Sequence, residues 1–288
     1  FLNKANVELV KGWGEFKNSN CVVIKNRKNG DILSELYGEK ILIAVGGRPK
    51  IPSIQGASLA WTSDDMFLLK SFPSKITIVG AGYIACEFAC ILQGLGVEVT
   101  QLVRGENILR GFDLELSSAL TQAMKSKGIN LKFGENVSSI KGITGSLIIK
   151  TSKDKVFNSN GLLFATGREP YLEGLKLEQS GVEIIDNKIK VDSESKTNIS
   201  NIFAIGDVTN RINLTPVAID EGRSFADRNF GESNRKVNYE LVPYAVFSQP
   251  EIASVGMTEE MATKTIGNNN IKVYRSIFRP LSKSIPKK

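Results

Sequence analysis

Between residues 75 and 103 the hydrophobic pattern changes period twice. Ile76-Thr77-Ile78-Val79 is a short, nearly continuous apolar run, the pattern of a strand buried on both faces of a parallel sheet. It stops at Gly80-Ala81-Gly82, and over residues 83–95 the apolar positions recur at helical spacing. A second apolar run follows at 97–103. Two further runs echo one another: Ile41-Leu42-Ile43-Ala44-Val45-Gly46-Gly47-Arg48-Pro49 and Leu162-Leu163-Phe164-Ala165-Thr166-Gly167-Arg168-Glu169-Pro170. Each predicts a buried strand, then a glycine, then a proline that forces the chain out of the sheet. A third run of this kind, residues 201–206, ends in Gly206 with Asp207 directly after it. Beyond it Thr215 is expected as an N-cap and Pro216 as the first helical residue, with acids in the first two turns. Strand-like segments are also expected at 7–16 and around Cys21. Strands alternating with helices in this way predict an α/β fold.

The chemistry of the first glycine turn follows from its setting. A lone G-x-G-x-x-G/A says little, but here it links a buried strand to a helix, which the dinucleotide fingerprint requires. Gly80 permits the tight turn, Gly82 lets backbone N–H groups approach a pyrophosphate, and Ala85 keeps the helix close to the strand. The helix N-terminus supplies a positive dipole end. The strand at 97–103 ends where NAD enzymes carry an acid for the ribose 2′-hydroxyl. Arg104 stands there instead, with Arg110 six residues on. A carboxylate would repel a 2′-phosphate and two guanidiniums can clamp it, so the expected ligand is NADPH; two solvated arginines on a basic surface are the alternative. Residues 80–167 then form one Rossmann-like half, closed by the second echo. The first echo should close an earlier unit whose glycines would lie before residue 1, so the chain, which begins with Phe, is expected to be an interior piece of a longer protein. At the third strand end, Asp207 could accept hydrogen bonds from sugar or ribityl hydroxyls, and the helix terminus at Thr215 could face an electron-rich ring.

Composition narrows the classes. The 288 residues are 41% hydrophobic, enough for two domains, and carry a net charge of +7. That charge is spread along the chain apart from Lys283, Lys287 and Lys288, with no basic stripe interleaved with aromatics, so no nucleic-acid partner is expected. No apolar run approaches the roughly 18 residues of a membrane span. With no histidine there is no His-based acid–base chemistry and no metal site is expected. The three cysteines do not form a disulfide framework. Cys86 and Cys90 sit at i,i+4 on a helix, where Cβ geometry rarely suits a disulfide, and are expected as packing residues, as is Cys21.

The segments ILIAVGGRPKIP, IVGAGYIACEFA, ILRGFD, FATGREP, IFAIGDVTNRINLTPVAIDEG and VPYAVFSQPEIASVGMTEE resemble, in order, those of the flavoprotein disulfide reductases, and within them the branch of bacterial and plant type that reduces glutathione disulfide. The resemblance implies a Rossmann-like NADPH-binding domain inserted in a partial FAD-binding domain and followed by the start of an α+β dimerisation domain. Residues 1–51 would end the first FAD segment, 52–168 form the NADPH domain, 169–238 the central FAD-contacting segment, and 239–288 the start of the dimerisation domain. It further implies FAD and NADPH as cofactors, glutathione disulfide as substrate, a homodimer and a cytoplasmic setting. Ala81 and Ile84 would contact the dinucleotide and Gly167 approach it closely. Tyr83 would cover the flavin until nicotinamide displaces it. Glu87 resembles an acid that pairs with a lysine beside the flavin, an exposed helix acid being the alternative. Asp207 would hold the ribityl chain, the Thr215 helix would stabilise negative charge on the flavin, and Gly14 would pass close to the adenine. The family's Cys-x-x-x-x-Cys pair, flavin-side lysine and His-Pro motif have no counterpart, so no catalytic residue is expected in these 288 residues. A relative acting on another disulfide (dihydrolipoamide dehydrogenase or mercuric reductase-like) and a non-catalytic dinucleotide-binding module remain as alternatives.

Overall fold

A four-stranded parallel sheet forms the centre of the molecule. Its strands run in the order Gly161–Phe164, Lys75–Val79, Glu98–Val103 and Asn130–Phe133. Ile76, Ile78, Leu102, Leu162 and Leu163 are fully buried in it, which is why these strands are continuous apolar runs rather than alternating ones. The helix Tyr83–Gly94 lays Ala85, Cys86, Ala89, Cys90 and Leu92 against one face. A three-stranded antiparallel sheet (Val137–Ile143, Ser146–Thr151, Val156–Ser159) covers the other. Its middle strand alternates strictly, with Leu147 and Ile149 buried and Ile148 and Lys150 exposed, so a single apolar face meets the parallel sheet. This computed structural model describes residues 2–278 and 281; the expected lysine cluster at 283–288 and the end of the expected dimerisation segment lie outside the described residues.

A second core joins residues from both sides of that unit. Phe16 and Ile43 pack with Leu175, Leu177, Val182, Ile189, Ile202, Ala204 and Val208. The strands Ile41–Ile43 and Ile202–Ala204 pair in parallel beside a meander of Trp13–Asn18, Cys21–Lys25 and Ile32–Tyr37. The strand expected from residue 7 begins only at Trp13, because its partner strand runs out at Lys25, opposite Trp13.

The two sequence echoes meet in space. Gly47–Pro49 and Arg168–Pro170 pair antiparallel, Arg168 opposite Pro49 and Pro170 opposite Gly47. The prolines therefore do more than eject the chain from its parallel sheets: each echo continues as one strand of a short ribbon. The prolines lie at the ends of the two ribbon strands, where a missing N–H interrupts little of the ladder.

Beyond residue 238, Tyr244–Val246 pairs with Ile252–Ser254, and a helix follows at Glu259–Ile266. Val246 and Ile252 enter the same core as Ala85 and Cys86. Among the described residues no helix is long and apolar enough to cross a membrane.

Candidate dinucleotide-binding edges

The first edge is the carboxyl end of the parallel sheet. Gly80 turns with φ +148°, and a Cβ there would stand 2.2 Å from the Ala165 carbonyl oxygen and 3.3 Å from the Ala85 Cβ. Glycine and alanine at these two positions are therefore what let strand, turn and helix close on one another. The Gly80 amide donates to the Leu102 oxygen (3.0 Å), and the fully buried Gln101 donates its Nε2 to the Gly80 oxygen (3.0 Å). Gly82 is the N-cap of the 83–94 helix and makes no side-chain cap; nothing lies within 4 Å of where its Cβ would be. The helix start thus has no side-chain cap and room in front of its N-cap, a ready anion site.

Arg104 and Arg110 both lie on the loop after the Glu98–Val103 strand, and both are exposed. The Leu109 amide donates to the Ala81 oxygen at 2.7 Å, which hangs the Arg110 segment on the glycine turn itself. Ser117 fastens the same loop from below through the Ile108 oxygen, 2.7 Å away. Among the described residues neither arginine forms an ion pair, so both guanidiniums are available to an anion.

The second edge gathers three strand ends. Gly46 (φ +73°) and Gly47 from the first echo, Arg168 from the second and Asp207 from the third run converge. Arg168 Nη2 donates to the Gly47 oxygen at 2.6 Å, and its Nε lies 3.6 Å from Asp207 Oδ2. A Cβ on Gly47 would come 3.1 Å from the Asp207 Cβ. Tyr83, about a third exposed, stands between the two edges: burial raises its phenol above the ordinary value, with Asp207 and Glu87 adding to the rise and Arg168 opposing it. Gly167 (φ +125°) has open space where a Cβ would point.

One expected detail changes. Leu214, not Thr215, is the N-cap of the Thr215–Phe230 helix, because the Leu214 carbonyl already accepts the Ala218 amide (3.0 Å). Thr215 is consequently the first helical residue and makes no capping bond, Pro216 is the second, and the first turn holds no acid. Thr215 still lies exposed at the positive end of the helix. Glu87 is half-buried rather than an exposed helix acid, and its Oε1 accepts the Phe247 amide at 2.8 Å, tying the dinucleotide helix to the segment beyond residue 238. Gly14 lies in the meander opposite Ile24, where a Cβ would make ordinary contact with Val22.

Sequence reasoning overlooked Glu221. It is 2% exposed, accepts the Gly206 amide (2.6 Å) and the Tyr239 hydroxyl (2.8 Å), and so braces the turn that carries Asp207. Its signal was present, since Val217, Glu221 and Phe225 form one buried stripe at helical spacing. Burial, followed by the hydrogen bond to Glu221, pushes the Tyr239 phenol up to about 12.

All three cysteines are free and buried. Burial pushes the Cys86 thiol up to about 12 and raises Cys90 as well, so neither supplies a thiolate near neutral pH. Replacing both by alanine is expected to cost about 1 kcal/mol at each site and to leave nucleotide affinity unchanged. Denaturant unfolding and a nucleotide titration check this; loss of nucleotide binding by a folded variant would show that the thiols do more than pack.

Known proteins place this architecture. Residues 1–222 match the family profile described as pyridine nucleotide-disulphide oxidoreductase, and residues 242–288 match its dimerisation domain. The glutathione reductase of Nostoc sp. is 40% identical over 98% of this chain and 62% of its own length. The chloroplastic/mitochondrial glutathione reductase of Pisum sativum is 42% identical over 99% of this chain and 50% of its own. The Cu(II) complex of the HOCl-induced flavoprotein disulfide reductase RclA from Escherichia coli superposes with a TM-score of 0.85 at 29% identity, covering 91% of this chain and 60% of that one. The chain thus spans one half to three fifths of the length of these relatives. With its glycine turn, its converging strand ends and these matches, the chain belongs to the pyridine nucleotide-disulphide oxidoreductase family.

Proposed function

We propose that this chain supplies the NADPH-binding unit and one wall of the FAD site of an enzyme that reduces glutathione disulfide with NADPH. The observation that carries the coenzyme choice is the loop of Arg104 and Arg110, anchored to the glycine turn by Leu109 and free of any ion pair among the described residues. Relatives named glutathione reductase, at 40–43% identity over nearly the whole chain, support the substrate. The dimerisation-domain match at 242–288 supports a homodimer. Three free, buried cysteines fit a reducing compartment such as the cytoplasm.

The residues present suit both cofactors. The turn at 80–82 and the helix behind it receive a pyrophosphate on backbone amides, with Ile84 and Ala81 as neighbouring surface and Gly167 leaving room across the cleft. Arg104 and Arg110 hold the 2′-phosphate by charge-assisted hydrogen bonds. At the second edge Asp207 accepts from ribityl hydroxyls, its turn held by Glu221. The exposed Thr215 end of the helix favours negative charge on a ring placed there. Tyr83, partly exposed between the edges, would cover the flavin when nicotinamide is absent. Gly14 would pass close to the adenine, as the family resemblance implies. Glu87 fixes the dinucleotide helix through the Phe247 amide. FAD, when bound, supplies the two-electron relay between nicotinamide and disulfide. No side chain of these 288 residues is assigned to the disulfide exchange.

The test uses the 288-residue chain. By calorimetry it is expected to bind NADPH and adenosine 2′-phosphate compounds, and to bind NADH at least tenfold more weakly. It is also expected to purify colourless, because only one glycine turn of the dinucleotide type occurs in it. Equal affinity for both coenzymes, or a stoichiometric flavin spectrum, would contradict the proposal.

A further inference from the structure

Resting on the NADPH reading above, we infer that Lys153 is a third cationic determinant of coenzyme choice, reaching the 2′-phosphate from the turn between the strands Ser146–Thr151 and Val156–Ser159. Nothing in the sequence around residue 153 suggests this, since the glycine fingerprint and its arginines lie far away along the chain. The sheet brings them together. The strand Asn130–Phe133 pairs in parallel with Glu98–Val103, and its continuation stays paired: the Gly134 amide donates to the Gly105 oxygen at 3.1 Å and the Glu135 amide to the Val103 oxygen at 3.0 Å. Gly134 is therefore in hydrogen-bond contact with the residue that follows Arg104. Over Gly134 sits the Lys153 ammonium, whose Nζ lies 2.8 Å from the point a Cβ of Gly134 would occupy. The absence of that side chain is what gives the ammonium its place.

The turn that carries Lys153 is itself fixed. The Ser152 amide donates to the Asn136 oxygen (2.8 Å), and the Thr151 amide to the Lys155 oxygen (2.9 Å). The neighbouring charges are already engaged: Lys155 with the buried Glu135, and Asp154 with Lys150 at 2.7 Å. Lys153 feels the field of Glu135 but forms no ion pair among the described residues. Glu106, on the arginine loop, is exposed, forms no ion pair among the described residues and opposes an anion there. A flexible ammonium over Gly134, which bonds the residue after Arg104, adds attraction for a dianionic phosphate held by that loop and none for a ribose hydroxyl.

Adenosine 2′,5′-bisphosphate, NADPH and NADH are titrated at low and high salt into the 288-residue chain and its Lys153→Ala, Lys153→Arg and Lys141→Ala variants. Lys141 lies on the same antiparallel sheet, opposite Ile148 and away from the turn, and controls for net charge. Lys153→Ala is expected to weaken both 2′-phosphate ligands about five- to tenfold at low salt, to leave NADH within twofold, and to make the salt dependence shallower. Lys153→Arg should retain affinity and Lys141→Ala should not change it. If Lys153→Ala binds the bisphosphate within twofold of the parent while an Arg104→Gln, Arg110→Gln chain loses it, this inference is overturned and the NADPH reading stands. If the parent chain does not prefer the 2′-phosphate at all, both fall. Thermal melts confirm that each exposed-site variant is folded.

Discussion

Exchanging Arg104 and Arg110 together for glutamine is expected to weaken NADPH binding to the chain by about a hundredfold or more while leaving NADH within a few-fold. A hydrogen bond to a charged group contributes about 1.5–3 kcal/mol, and about 1.4 kcal/mol is a factor of ten, so losing two gives roughly this ratio even at the lower limit. The lower limit is appropriate because both guanidiniums are exposed and screened. The loop need not refold in the variant: Leu109 to Ala81 and Ser117 to Ile108 are bonds to backbone that neither arginine makes. Calorimetric titration with both coenzymes measures the effect. A parallel loss for NADH would mean that the arginines bind the pyrophosphate or the loop rather than the 2′-phosphate, and the coenzyme assignment would fail.

Two glycines two residues apart should give opposite outcomes when each is changed to alanine. At Gly80 the new methyl meets the Ala165 carbonyl oxygen at 2.2 Å, and the φ of +148° is strained for any side chain. The Ala165 carbonyl is backbone, so relief requires moving the strand Gly161–Phe164 against Lys75–Val79. A loss of about 2–4 kcal/mol in unfolding free energy is expected, with nucleotide binding lost alongside. At Gly82 the methyl meets nothing within 4 Å, and the backbone has an ordinary φ of −81°. Stability should be unchanged there or slightly improved, because alanine restricts the unfolded chain. The methyl would still stand where a pyrophosphate must approach the amides, and a tenfold or greater loss of NADPH affinity is expected. Denaturant unfolding and nucleotide titration of both variants check the pair. A Gly80→Ala chain of parent stability, or a Gly82→Ala chain of parent affinity, would show that the fingerprint works by some other means.

Apolar periodicity along the chain determined the βαβ unit and the turn within it. A strand buried on both faces, a turn whose first glycine takes a positive φ and a helix start are local requirements, each legible in consecutive residues. The echo at Gly47–Pro49 and Arg168–Pro170 was likewise visible, though only as a repeat. That its two copies pair with each other, and so bring Asp207 beside Arg168 and Gly47, was not, because strand pairing depends on partners more than a hundred residues apart. The cap of the Thr215–Phe230 helix was misplaced by one residue for a related reason. Sequence preference favours threonine as N-cap, whereas the bond from Ala218 to the Leu214 carbonyl starts the helix one residue earlier. That Glu87 accepts the Phe247 amide was not legible either, because that amide comes from 160 residues further along the chain. Glu221 and Lys153 owe their surroundings entirely to assembly: one is a carboxylate enclosed by Gly206 and Tyr239, the other an ammonium over a glycine of the neighbouring sheet. Sequence by itself thus determined which segments are strand, turn and helix, and which residue types an anion would meet there, since backbone sterics and burial periodicity act over a few residues. Tertiary structure alone decided which charges meet and which are already paired, because electrostatic and hydrogen-bond partners are set by distance in space, whatever their separation along the chain.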